Sequence, residues 1–61
     1  METIELLSVR RTAARLNLHR GTTYRLIRNG EIPSLKVGGS IRVDPRELDR
    51  WIERRTRGGV A

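Results

Sequence analysis

The chain has 61 residues, thirteen of them Lys or Arg and seven Asp or Glu, for a formal charge of +6 at pH 7. A domain this small buries only about 60% of the surface its unfolded chain exposes, which excludes a large enclosed substrate pocket and leaves room for one small domain. With no cysteine and a single histidine, neither a disulfide framework nor a Cys- or His-based metal site is available to support the core, and no cofactor or metal is expected. No apolar run approaches the roughly 20 residues of a membrane span. The segment Met1 to Leu7 lacks the basic start and apolar stretch of a signal peptide, so the expectation is a soluble, cytoplasmic protein. All the basic residues but Lys36 are arginine. Codon bias in a GC-rich genome gives that ratio by itself, but the excess of base over acid still calls for an anionic partner, and arginine's planar fork suits phosphate oxygens and the O6/N7 edge of guanine. A nucleic acid and an anionic membrane surface both satisfy the balance, and the arrangement of the charge decides between them.

Four short periodic segments follow one another, separated by turn signals. Ser8 is a good N-cap, and Val9, Ala13 and Leu16 then fall on one face of a helix. Asn17 closes that helix, because asparagine tolerates the left-handed conformation that often follows a helix end. Only Asn17-Leu18-His19 separates it from a second helical stretch, Arg20 to Asn29, which stops at Gly30; a short helix, a tight turn and a second helix make a helix-turn-helix pattern. After Ile32-Pro33 the period changes. Leu35 and Val37 alternate with Ser34 and Lys36, Gly38-Gly39 supplies the positive φ angles of a tight hairpin turn, and Ser40-Ile41-Arg42-Val43 alternates back. A hairpin this small is stable only when packed on the helices. Asp44 as N-cap, Pro45 at the first helical position and Glu47 closing a capping box start a third helix, with Leu48, Trp51 and Ile52 as its apolar stripe. Trp51 is expected in the core, wedged against the first helix and the hairpin. The fold expected is mainly α with a small β-hairpin: three helices plus a two-stranded wing over residues 1–56, and a flexible basic tail over 57–61.

On the second helix, Thr23, Leu26 and Ile27 cluster toward the core, while Gly21, Arg25 and Arg28 lie opposite, flanked by Arg20 and Tyr24 on one side and Thr22 on the other. This outer face is basic, free of acids, and holds a glycine that permits close backbone approach. The third helix differs: Arg46, Glu47, Asp49, Arg50, Glu53 and Arg54 mix signs and pair along the helix. A basic second helix in a helix-turn-helix is what major-groove reading requires. Arg25 and Arg28 are then candidates for bidentate guanine or phosphate contacts. Tyr24 is open to three roles: a phosphate through its hydroxyl, a thymine methyl, or packing on the hairpin. Arg20 and Thr22 sit near the positive end of the helix dipole, where phosphates bind. His19, at the N-cap, is read as a capping or solvent-exposed residue. Gly38-Gly39 lacks the surrounding pattern of a phosphate-binding P-loop, and Lys36 and Arg42 are the charges of the wing. No credible catalytic set is present. A protein-interaction or membrane-surface role for the basic helix is the alternative of a different class.

The run Leu7-Ser8-Val9, Thr12-Ala13, Leu16-Asn17-Leu18-His19, the continuous stretch from Thr22 to Pro33 (TTYRLIRNGEIP), Lys36-Val37-Gly38, Ile41-Arg42-Val43 and Leu48-Asp49-Arg50-Trp51-Ile52 resembles the excisionase family of winged helix-turn-helix DNA-binding proteins, related to the DNA-binding heads of MerR-type regulators. The resemblance covers residues 6–54. It implies that the second helix enters the major groove, with contacts from Arg20, Thr22, Tyr24, Arg25 and Arg28, which Gly21 joins from its place on the same face. It also implies that the wing lies along the adjacent minor groove or backbone, through Gly38, Gly39, Ser40 and Arg42, which Lys36 joins as the other charge of the wing. Where the family carries two acids after the first N-cap, this chain has Arg10-Arg11, which suggests an added phosphate or partner contact. Asn17 replaces the usual turn glycine and His19 the usual serine cap. Gly39-Ser40 replaces an arginine-rich tip and Ile41 an aromatic, so the wing is expected to bind more weakly than is typical. The function implied is that of a recombination directionality factor in a bacterial host. It would bind tandem sites beside attachment DNA, bend double-stranded DNA and direct an integrase toward excision, with cooperative head-to-tail self-association and no small-molecule effector. A small transcriptional repressor of the same fold is the alternative.

Overall fold

A computed structural model describes residues 4–56; the expected tail, 57–61, lies outside the described residues. The order of elements is α1 (Val9–Leu16), α2 (Arg20–Arg28), β1 (Leu35–Val37), β2 (Ser40–Arg42) and α3 (Pro45–Arg55), the mainly helical three-helix architecture with a hairpin that the sequence predicts.

Both of the first two helices end in the same hydrogen-bonded turn. At the end of α1, Asn17 takes the left-handed conformation (φ 58), its N–H donates to the Ala14 carbonyl at 3.2 Å, and the Leu18 N–H reaches back to Ala13 at 2.9 Å. At the end of α2, which stops one residue earlier than expected with Asn29 as its C-cap, Gly30 takes that role (φ 78). Its N–H donates to Ile27 at 3.0 Å and the Glu31 N–H to Leu26 at 2.9 Å. These paired 6→1 and 5→2 bonds are Schellman motifs, which satisfy the last carbonyls and reverse the chain sharply. The first reversal sets α2 across α1; the second returns Ile32 beneath α2, where it is 1% exposed.

Ser8 caps α1 as expected, its Oγ accepting from the Arg11 N–H at 3.1 Å. Between α1 and α2 the buried residues are Thr12, Ala13 and Thr23, while Val9 and Leu16 are only half-buried at the rim of the core. Neither threonine hydroxyl is left unpaired. Thr12 Oγ1 donates to the Ser8 carbonyl at 2.8 Å and Thr23 Oγ1 to the His19 carbonyl at 3.1 Å, each one turn back along its helix. Bonding back in this way lets a polar side chain occupy a tight helix crossing without the desolvation cost of an unpaired group.

The hairpin pairs Leu35 with Arg42, Lys36 with Ile41 and Val37 with Ser40, closed by Gly38 and Gly39, both at positive φ (57 and 86), the signature of a type I′ turn. Because facing residues share a side of the sheet, Ile41 is turned to the helices together with Lys36, and Leu35 and Val37 occupy the outer side. They are 42% and 51% exposed. The predicted alternation is present, but its apolar side in β1 faces outward. Beyond β2 the chain makes one further rung: Leu7 and Val43 exchange both backbone hydrogen bonds at 2.8 Å. That rung ties the segment before α1 to the base of the wing.

At α3, Asp44 caps with its Oδ1 accepting from the Arg46 N–H at 2.8 Å, and Pro45 opens the helix. The expected capping box does not close. Glu47 instead pairs with Arg50, because a guanidinium one turn along the helix is a stronger partner for a carboxylate than a neutral amide. Leu48 is fully buried. Trp51 reaches the rim of the core, not its interior: it is half-buried, and the Arg55 guanidinium lies 4.6 Å from its ring centroid. Ile27, Ile32, Val43 and Leu48 form the core, one residue each from α2, the reversal after it, the segment just past β2, and α3. Each contributes on the order of 1.5–3 kcal/mol by leaving water.

Candidate nucleic-acid interface

Burial of Thr23 and Ile27 fixes the rotation of α2 and so determines which side chains it offers to solvent. Arg20, Gly21, Tyr24, Arg25 and Arg28 are exposed and Thr22 is half-buried, the set that the sequence places on this face. Residues 8–30 contain six arginines and no acid, while the remainder of the chain holds seven basic and seven acidic side chains. The entire net charge of +6 therefore resides in the two helices and their turn. Pairing follows the same division. The salt bridges among the described residues join Arg46 to Asp44, Arg50 to Glu47, and Arg55 to Glu31, all on α3 or linking it to the reversal after α2. None involves Arg20, Arg25 or Arg28. Of the described acids, Asp44 has its carboxyl held below the ordinary aspartate range, first by the Arg46 side chain and then by the Arg46 backbone N–H.

The start of α2 is open. His19 occupies the N-cap position with extended backbone but makes no side-chain cap bond, so the first-turn amides have no acceptor among the described residues and the positive end of the helix faces outward. Gly21 lies in this turn. A Cβ there would meet nothing within 4 Å, and its φ is not among the positive ones, so the fold itself places no demand for glycine at this position.

The face is not uniform along its width. The Arg28 guanidinium stands 5.7 Å from the centre of the Tyr24 ring, so both side chains lean to one side of α2. On that side a cleft of about 370 Å³ separates α2 from the hairpin, walled by Tyr24, Ile27 and Arg28 and by Ser34, Lys36 and Ile41, with Leu35 at its border. Thr22 belongs to the opposite side, beside Asn17, Leu18 and His19. Arg25 lies between the two, exposed and without a protein partner among the described residues.

Of the wing residues expected to contact DNA, Gly38, Gly39 and Ser40 sit together at the exposed tip, and Lys36 faces α2 across the cleft. Arg42 lies on the outer side, opposite Leu35, and its Nη1 donates to the Ile41 carbonyl at 2.8 Å. The structure also separates Arg10 from Arg11. Arg10 shares a surface groove with His19 and Arg20, extending the basic face of α2 onto α1, whereas Arg11 lines a different groove with Leu7 and Arg15. Adjacent helix residues point about 100° apart, so a helical projection of α1 carries this separation. Assigning Arg10 to the α2 face requires the helix crossing as well.

No helix among the described residues is long and apolar enough to cross a membrane. The chain matches a family model described as a helix-turn-helix domain over residues 6–56. It is 39% identical over 49 residues to two curated proteins of Mycobacterium tuberculosis, one from strain CDC 1551 and one from strain H37Rv, both named as candidate DNA-binding proteins. The alignment covers 80% of this chain and 63% of each relative, so the chain spans less than two thirds of their length. No solved structure matches it significantly. With a family model covering most of its length, and with the helix crossing, turn and hairpin described above, the chain belongs to the helix-turn-helix domain family.

Proposed function

We propose that this protein binds double-stranded DNA sequence-specifically, with α2 in the major groove and the hairpin against the neighbouring backbone. The observation that carries the reading is the segregation of charge: six arginines without an acid on α1, the turn and α2, and the salt bridges of the described residues confined to α3 and Glu31. An ordinary solvated surface mixes signs, as α3 does. A B-DNA major groove about 12 Å wide admits a helix, and the contacts proposed from α2 are Arg20, Gly21, Thr22, Tyr24, Arg25 and Arg28. The wing contributes Lys36, the amides and hydroxyl of Gly38, Gly39 and Ser40, and Arg42. Because the Arg42 guanidinium is already bonded to the Ile41 carbonyl, its contribution is smaller than that of a free arginine.

Within DNA binding, the resemblance of residues 22–33 to excisionases supports an architectural role. The protein would occupy tandem sites beside attachment DNA, bend it at a deformation cost on the order of 1–6 kcal/mol, and direct an integrase toward excision. A single module buries roughly 600–1,000 Å², which favours several copies bound head-to-tail. The relatives' names mention DNA binding and not recombination, which keeps a small transcriptional regulator as the second reading.

Selection of a binding site from a random duplex pool, followed by anisotropy titrations at several salt concentrations, tests the first level. Neutralising several phosphates makes affinity fall by orders of magnitude between low and moderate salt. Weak binding with a shallow salt slope refutes DNA as the partner. An excision assay with an integrase encoded beside the protein tests the second: stimulated excision supports the architectural role, and promoter occupancy without any effect on excision supports the regulator.

A further inference from the structure

We infer that the basic face of α2 is divided by function: Arg28, held by the Tyr24 ring, and Lys36 of the hairpin form a two-sided clamp on one DNA phosphate strand across the α2–wing cleft, leaving Arg25 to read the bases. The inference rests on the DNA-binding reading and assigns roles within it.

Three observations meet at this cleft. A guanidinium over an aromatic face is held by the ring's negative quadrupole, so the 5.7 Å approach of Arg28 to Tyr24 commits Arg28 to the wing side of the helix and away from the axis of the face. Lys36 is the residue of β1 that the register turns toward the helices, opposite Ile41, and it lines the same cleft as Tyr24 and Arg28. Two cations on opposite walls, with no acid among the residues that line the cleft, make a channel whose charge suits a phosphodiester. Its position, between a helix proposed for the major groove and a wing proposed for the backbone beyond, is where a DNA strand leaves the groove. Ser34, on the hairpin wall, adds a neutral donor for the same oxygens.

The opposite argument applies to Arg25. It has neither an aromatic support nor a salt-bridge partner among the described residues, and it lies about 100° around the helix from Tyr24, away from the cleft. Its fork is free to align with a guanine edge, where a bidentate pair discriminates by about 1–3 kcal/mol. Tyr24 is accordingly a positioning residue, acting through its ring and not its hydroxyl.

The test uses the full chain with a duplex selected from a random pool, its single-base variants and a scrambled duplex, after circular dichroism confirms that each variant is folded. Arg28→Ala and Lys36→Gln should each weaken binding to selected and scrambled duplex by the same factor. Each should also lower the slope of log affinity against log salt by about 0.9. Between 50 and 200 mM salt, the wild type then loses about 3.5-fold more affinity than either variant. Arg25→Ala should instead flatten the preference at one base position. Tyr24→Leu should lose what Arg28→Ala loses, and the double variant should lose no more. The assignment is overturned if Arg28→Ala relaxes a base preference, if Lys36→Gln leaves the salt slope unchanged, or if the losses of Tyr24→Leu and Arg28→Ala add in the double variant. A wild type that binds no duplex refutes the DNA reading itself, a result distinct from all of these.

Discussion

Replacing Gly21 by alanine should make the protein more stable and a poorer DNA binder. Glycine in a helix is less favourable than alanine by about 0.5–1 kcal/mol, because it loses more backbone freedom on folding. At Gly21 the structure sets nothing against that gain, since a Cβ would meet no atom within 4 Å and its backbone does not lie at positive φ. For a domain of this size each kcal/mol moves Tm by about 4–8 °C, so Gly21→Ala should raise the midpoint by roughly 2–8 °C. The same methyl group would stand on the acid-free face, in the first turn of α2, where the uncapped amides are proposed to meet phosphate or base edges. Thermal unfolding followed by circular dichroism gives the first quantity and anisotropy on a selected duplex the second. Opposite movement of stability and affinity is the expected signature of a residue kept for contact. If alanine destabilises, the open space around Gly21 has been misjudged; if it stabilises and affinity is unchanged, close backbone approach at this turn plays no part in binding.

Three further substitutions test the framework. Asn17→Gly should stabilise by a few tenths to about 1 kcal/mol, because glycine enters the left-handed conformation at φ 58 without the Cβ penalty, while Asn17→Val should cost at least about 1–2 kcal/mol; urea midpoints decide. Ile32→Ala removes a side chain that is 1% exposed and should cost about 2–5 kcal/mol, against a total of about 3–9 kcal/mol for a chain of this length. A loss below about 1 kcal/mol would refute the central place given to the reversal after α2. Asp44, whose carboxyl is held below its ordinary range mainly by Arg46, contributes stability that is present above its unfolded pKa and is lost as pH falls through the lower, folded value. Acid titration of the helical signal should therefore show a loss below the usual aspartate range that Asp44→Ala abolishes, and the variant should also be less stable at neutral pH because the cap is missing.

Local chemistry was the legible part of the fold. Ser8, Asp44, Gly30 and the Gly38-Gly39 pair each act through groups within a few residues of themselves, and they are found where the sequence places them. The same holds for the outer face of α2, because Thr23 and Ile27 suffice to fix its rotation. Features that depend on a partner distant in sequence, on register, or on a choice between competing partners were not legible. The Leu7–Val43 rung is a single pair with no alternating run to announce it. Glu47 could satisfy either an amide behind it or Arg50 ahead, and only the competition between them decides. The outward side of Leu35 and Val37 follows from the register of one tight turn, not from hydrophobicity. The unequal directions of Arg25 and Arg28 are set by Tyr24 and the position of the hairpin, which periodicity cannot supply.

The Leu7–Val43 rung has a mechanical consequence. The hairpin is anchored at its foot by two short hydrogen bonds, with Val43 buried beside them, and from there β2 continues directly into the rigid cap of α3. Toward Gly38 and Gly39 the described residues offer it no comparable restraint. Its restraint by the rest of the described fold is therefore concentrated at one end, at the Leu7–Val43 rung. Any adjustment of the hairpin to a partner would thus be made toward its tip, while its foot stays joined to the segment before α1.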